Sequence, residues 1–198
     1  MTTPKLLVIA APSGGGKTSI VKALLERHPE FQFSVSATTR PMRPGEEDGR
    51  DYFFLSRGEF EALIARGELV EYEELYGNLY GTLKSETDRA LSRGISMIFD
   101  VDVRGARSIK EMYGAKAVLI FIAPPSIEVL ESRLRNRKTE DEATVRRRMD
   151  RWAMEIEAGK EFDHTVVNDR LDRAIDEVDR IAMEHIEREE RLQNQSMK

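Results

Sequence analysis

The sequence predicts an α/β protein built on a parallel sheet flanked by helices, and three observations carry that expectation. Leu6–Ala10 is an unbroken apolar run, as expected of a strand covered on both faces, and a glycine-rich turn and a helical apolar pattern follow it directly. Strand-like and helix-like segments alternate at both ends of the chain. Residues 36–93 break this rhythm with short strands and tight turns, and read as an insertion of different local architecture.

The remaining elements follow in order. Ile20, Val21, Leu24 and Leu25 recur at helical spacing until Pro29 stops the helix. Phe31, Phe33 and Val35 alternate like a half-buried strand. Residues 38–51, with Pro41, Pro44, Gly45 and Gly49, read as a loop, and residues 52–55 as a strand. Ser56-x-x-Glu59 is a capping-box sequence for a helix with Phe60, Leu63 and Ile64 inward and Gly67 at its end. A short strand is predicted at 69–72, a turn at 76–81 and a helix at 85–93 closed by Gly94. Residues 96–101 and 117–122 are two more apolar strands. Beyond Pro124-Pro125, Ile127, Leu130 and Leu134 mark one helix, and Val145, Met149, Trp152 and Ile156 a second, with Trp152 as its core anchor. Residues 165–167 form a last strand. Leu171, Ile175, Val178 and Ala182 form the inner face of a final helix, and the chain beyond Glu187 is expected to fray.

The 198 residues suffice for one sizeable core with a small inserted subdomain. Without cysteine there is no disulfide framework and no thiolate metal site, which fits a reducing compartment. No apolar run reaches membrane-spanning length, and no signal peptide is read ahead of the glycine-rich turn. A net charge of -5 argues against a nucleic-acid-binding role. His28, His164 and His185 show no ligand spacing and are assigned no role.

Ala11-Pro12-Ser13-Gly14-Gly15-Gly16-Lys17-Thr18 matches the G-x-x-x-x-G-K-[ST] phosphate loop, with Ala11 in place of the first glycine. Glycines let successive N–H groups converge on phosphate oxygens, and the helix beyond favours negative charge. Lys17 can reach the β- and γ-phosphates and Thr18 can hold Mg²⁺. The fold class expected is therefore a P-loop NTPase core. A GTPase usually reads guanine with Asn-Lys-x-Asp after a later strand. Val167-Asn168-Asp169 lacks that pattern, which tilts the reading towards a kinase.

Other residues carry chemistry less specifically. Arg40 and Arg43, three apart in a Pro/Gly loop, can clamp a phosphate dianion, or can be ordinary solvated loop charges. Tyr52 and Tyr80 offer hydroxyl donors or simple packing. Asp100 and Asp102 end an apolar strand on one face, where a carboxylate can orient Mg²⁺, or favour a turn. Arg133, Arg137, Arg146, Arg147 and Arg148 surround the polar stretch 138–143, either as a solvated face or as charges that close over a transferring phosphoryl group.

Taken together, Ser36-Ala37-Thr38-Thr39-Arg40-Pro41-x-Arg43-x-Gly45-Glu46, Gly49-Arg50-Asp51-Tyr52 and Gly77-Asn78-x-Tyr80-Gly81 resemble the guanylate kinases, in order and over nearly the whole chain. That resemblance implies a single domain over 1–198. Its core would be 1–35, 94–132 and 152–190, with a GMP-binding subdomain at 36–93, a mobile lid at 133–151 and a frayed tail at 191–198. It implies transfer of the γ-phosphate of MgATP to GMP. Ala11 to Thr18 would cradle ATP, with Arg133, Arg137, Asn168 and Asp169 beside it. Ser36, Arg40, Arg43, Tyr52, Glu71, Tyr80, Thr82 and Asp102 would bind GMP, Glu71 and Asp102 accepting from the guanine edge. Lys17, Arg137 and Arg148 would be catalytic, and Thr18 and Asp100 would serve Mg²⁺. ATP and GMP are the partners implied, with no nucleic acid and no membrane. A homo-oligomer is compatible with this reading, and a cytoplasmic location is expected. Two rivals stand beside it: a kinase of another acceptor, which Glu71 with Asp102 argues against, and a phosphopeptide-binding module, which the intact Gly16-Lys17-Thr18 argues against.

Overall fold

The computed structural model describes residues 4–75, 77–135 and 152–196, with the backbone alone at 133–135 and 187–196. In chain order the elements are β1 (Leu6–Ala10), α1 (Lys17–Arg27), β2 (Gln32–Phe33), β3 (Ser36–Thr38), β4 (Phe53–Phe54) and α2 (Arg57–Arg66). Then come β5 (Leu69–Leu75), β6 (Asn78–Leu83), α3 (Lys84–Ser92), β7 (Met97–Asp100), α4 (Val103–Tyr113) and a 3₁₀ turn (Gly114–Lys116). The chain ends through β8 (Ala117–Ala123), α5 (Ile127–Arg135), helical residues 152–159 (α6), β9 (His164–Val167) and α7 (Leu171–Ser196).

Five strands form one parallel sheet in the order β2-β7-β1-β8-β9. β1 lies at its centre, with Ile9 level with Asp100 on one side and Ile120 on the other. Alternation explains why β1 is apolar throughout. Leu7 and Ile9 pack with Ile20 and Leu24 of α1 and Val178 and Ile181 of α7, while Leu6, Val8 and Ala10 pack with Val103, Ala106 and Ile109 of α4. All five strands end at the same edge of the sheet, where α/β proteins place their ligands.

The second sheet, order β4-β3-β6-β5, is mixed: β3 pairs parallel with β4, and β6 antiparallel with β3 and β5. Its apolar face rests on α2 through Ala37, Leu69, Leu79 and the fully buried Phe60. The expected capping box holds α2: Ser56 N–H donates to Glu59 Oε2 at 2.8 Å and Glu59 N–H to Ser56 Oγ at 3.3 Å. Gly67 closes the helix in the left-handed conformation.

Four features depart from the sequence expectation. Residues 103–113, given no element, form α4, because Asp102 caps the segment and Val103, Ala106 and Ile109 share a buried face. Residues 78–83, of which 78–81 are read as turn, pair on both sides as β6, since cross-strand partners rather than local pattern decide them. Phe33, expected in a half-buried strand, sits on the two-residue edge strand β2 and is exposed. The tail expected to fray is helical to Ser196, its Glu-, Arg- and Gln-rich sequence containing no glycine or proline stop. The lid segment 133–151, with Val145 and Met149, lies almost wholly outside the described residues.

Candidate active site

The phosphate loop leaves the end of β1 and turns tightly, Gly15 N–H donating to Pro12 O at 2.8 Å. Gly16 precedes α1 at φ 92°, in the left-handed region that glycine adopts without strain. No side chain caps α1, so its first-turn N–H groups remain available to an anion. Lys17 Nζ donates to Val101 O at 2.7 Å and forms an ion pair with Asp100 at the end of β7. Thr18 is exposed at the first turn. The cavity over the loop, about 330 Å³, is lined by Ala11 to Ser19 together with Glu73, Leu75, Asp102 and Glu155.

Asn168 stands behind this loop. It is 4% exposed, and its Nδ2 donates to Gly15 O at 2.8 Å. Asp169, next in sequence, is exposed.

Strand register assembles the acceptor pocket. Ser36 of β3 lies opposite Thr82 of β6, which lies opposite Glu71 of β5, so three predicted GMP residues form one cross-strand row. Thr82 Oγ1 donates to Glu71 Oε1 at 2.7 Å. Burial raises the Glu71 carboxyl above the usual carboxylate range; the Thr82 hydrogen bond opposes that, and the charges of Asp102 and Glu73 add to it. Asp102 is the N-cap of α4, its Oδ1 accepting from Arg104 N–H at 3.0 Å and Gly105 N–H at 2.9 Å. A Cβ on Gly105 would stand 3.2 Å from Val101 Cβ and 3.4 Å from Glu71 Cγ, so a bare glycine lets the Glu71 stem lie on the first turn of α4. A cavity of about 860 Å³ lies between β5 and α4, lined by Leu69 to Leu75, Asp102 and Gly105; of the predicted GMP residues only Glu71 and Asp102 line it. It shares Glu73, Leu75 and Asp102 with the cavity over the phosphate loop, so the two lie side by side.

Beside the row, Tyr52 and Tyr80 meet edge to face at 6.1 Å between centroids, and the Arg40 guanidinium lies 5.2 Å from the Tyr52 ring centre. Glu46 holds Arg40 through paired bonds of 3.0 and 2.8 Å, and also accepts from Arg43 N–H at 2.7 Å. The Arg40 side-chain hydrogen bond, ahead of the Arg43 backbone N–H, keeps the Glu46 carboxyl below its ordinary range, so it stays ionised and fixes the loop. Arg43 itself is exposed.

Thr18, Asp100 and a nucleotide's phosphates offer oxygen donors alone, the set a hard cation such as Mg²⁺ takes. Among the described residues no group of three or more His, Cys, Asp or Glu side chains could hold a metal by itself. Arg133 lies on α5, where the backbone alone is described, and Arg137 and Arg148 lie outside the described residues. Sequence reasoning missed Glu46 as the partner of Arg40, and Glu73 and Glu155 as walls of the phosphate cavity. Glu46 could have been found from its place six residues after Arg40 in the same loop; Glu155 carries no local signal. The unassigned histidines are also engaged: His164 and His185 join Nε2 to Nε2 at 2.8 Å, tying β9 to α7.

Both the sequence and the fold have counterparts among known proteins. The family model described as guanylate kinase matches residues 3–185. A guanylate kinase of Chlorobaculum tepidum is 47% identical over 174 residues, 88% of this chain and 89% of that protein. One of Caulobacter vibrioides is 43% identical over 189 residues, covering 96% of this chain and 88% of its own. The crystal structure of guanylate kinase from Anaplasma phagocytophilum superposes with a TM-score of 0.73 at 31% identity, over 94% of this chain and 88% of that one. By sequence over most of its length and by fold, the chain belongs to the guanylate kinase family.

Proposed function

We propose that the protein transfers the γ-phosphoryl group of ATP to the phosphate of GMP, giving ADP and GDP. The observation that supports this best is the cross-strand row of Ser36, Thr82 and Glu71, with Glu71 under the charge of Asp102, which itself lines the cavity over the phosphate loop. In the reaction a phosphate oxygen of GMP forms a bond to the γ-phosphorus, and the bond to the bridging oxygen breaks, its electron pair leaving with ADP. The protein supplies position and charge rather than a covalent nucleophile. The loop amides and Lys17 hold the β- and γ-phosphates. Arg40, Arg43, Tyr52 and Tyr80 hold the acceptor phosphate, and Ser36, Thr82, Glu71 and Asp102 read guanine. An adenine edge, with no adjacent pair of donors, would leave those acceptors unpaired, which is the basis for choosing GMP over AMP.

In this reading Thr18 and Asp100 hold Mg²⁺, which neutralises charge on the phosphates when bound. The five-stranded sheet and its helices are the core, 36–93 the acceptor subdomain and 133–151 the lid, bringing Arg133, Arg137 and Arg148 over the transferring group. No described helix is long and apolar enough to cross a membrane, and we place the protein with its nucleotide substrates in the cytoplasm.

A coupled assay of ADP production with MgATP, comparing GMP, AMP, dTMP and CMP, tests the proposal. Turnover confined to GMP and close analogues supports it. Turnover with another acceptor refutes the guanine assignment of Glu71 and Asp102 while leaving the phosphate loop. Folded protein that binds GMP without turnover refutes the kinase reading.

A further inference from the structure

We infer that Asn168 is a positioning residue that sets the orientation of the phosphate loop, rather than a contact to the adenine of ATP. The residue follows β9 directly, and its own N–H donates to Ala123 O at 2.8 Å, so its backbone is fixed to the end of β8. From there its Nδ2 donates to Gly15 O at 2.8 Å. In a trans peptide the C=O of one residue and the N–H of the next point in opposite directions. Drawing the Gly15 carbonyl back towards Asn168 therefore turns the Gly16 N–H forward, to the side of the loop away from Asn168. The Gly15–Gly16 peptide is free of Cβ atoms at both residues and resists rotation little, so an external hydrogen bond has much to fix there.

Packing gives an independent reason. Gly16 adopts φ 92°, and a Cβ there would stand 2.3 Å from Asn168 Nδ2, so the amide occupies the space beside Gly16. The cavity over the loop is lined by Gly15 and Gly16 and not by Asn168, which is 4% exposed. Asn168 thus acts on a bound phosphate only through the loop, and its effect follows phosphates whatever base they carry. The inference rests on the reading of residues 11–18 as the ATP phosphate site.

The test is Asn168→Asp, which turns the donor into an acceptor facing the Gly15 carbonyl, with Asn168→Ala as a second variant that adds no charge. Affinities are measured for ADP, for inorganic tripolyphosphate as a competitor of ATP, and for GMP. The role predicts that ADP and tripolyphosphate weaken by a similar factor, roughly tenfold, while GMP stays within about twofold of the wild-type value. Loss of ADP affinity with tripolyphosphate unchanged would show an adenine contact and overturn it. Equal loss of all three, GMP included, would show general destabilisation and overturn it as well. If tripolyphosphate fails to compete with ATP on the wild-type protein, the phosphate-loop reading falls and this role with it. Competition lost only in the variants leaves that reading intact and supports the brace.

Discussion

In the proposed phosphate site the recognising groups are backbone amides, held by glycines and the end of a buried strand; in the proposed acceptor pocket they are the ends of Arg40, Tyr52, Glu71 and Thr82. The loop sits on a sheet packed on both faces, with β1 wholly buried. The acceptor row sits on a thinner sheet packed on one face against α2, and its other face carries polar side chains. A site of backbone groups depends on peptide orientation and is damaged by added side-chain atoms. A site of side-chain ends depends on residue identity and is damaged by truncation. Each region should therefore fail in its own way and leave the other's ligand bound.

The largest effect is expected at the one charged side chain of the loop. Lys17→Ala should lower turnover by about a thousandfold, with the GMP dissociation constant changed by less than about twofold. Parallel loss of GMP binding, by calorimetry, would erase the contrast between the regions. Glu71→Ala should lower kcat/KM for GMP by roughly a hundredfold and leave KM for ATP near its starting value, because the guanine edge loses one of its two carboxylate acceptors.

Gly105→Ala sharpens the comparison, since it attacks the side-chain site by adding an atom. Crowding Glu71 and Val101 should raise KM for GMP roughly tenfold. Alanine favours a helix by up to about 1 kcal/mol over glycine, so the melting temperature should not fall. A lower melting temperature with unchanged KM would place the glycine in the fold instead. Ser56→Ala, which removes the cap beneath the acceptor sheet, should cost about 1 kcal/mol of stability by urea denaturation and spare ATP affinity.

The smallest effect belongs to the core. Burial works against a charge on His28, but its hydrogen bonds with Asp179 and Glu30 outweigh that and raise its pKa above the ordinary value. A raised folded-state pKa stabilises below the unfolded value, and the contribution is lost as pH rises through the folded one. The urea midpoint should therefore drop slightly from about pH 6 to about pH 8, and His28→Gln should remove that slope. A midpoint rising over the same interval in the wild type alone would reverse the sign.

The same contrast governs what could be read from the chain. The core strands and the phosphate loop were legible because burial on both faces writes a continuous apolar run and the loop needs its glycines consecutively. The capping box of α2 was legible for a similar local reason. β6 was not, since Asn78, Gly81 and Thr82 carry no alternation and the strand exists through its partners β3 and β5. α4 was hidden because Gly105 and Ala106 are weak hydrophobic signals, although Asp102 followed by Val103, Ala106 and Ile109 marks a capped helix once looked for. Of the site, residue identities were visible, and their arrangement came from register: Ser36, Thr82 and Glu71 share a row although 46 and 11 residues separate Thr82 from the other two. Asn168 was visible as a position beside ATP, and only the fold shows that its amide turns to the Gly15 carbonyl.

The central place of β1 also governs how the chain is made. This strand precedes its partners, for its two neighbours, β7 and β8, begin at residues 97 and 117, and α7, which covers one of its faces, begins only at residue 171. During synthesis its five consecutive apolar residues have α1 to pack on but no strand to pair with until residue 97 is made, while the acceptor sheet, whose strands lie between residues 36 and 83, can close upon itself sooner. The strand that leads into the phosphate loop is thus paired later than the acceptor sheet is closed.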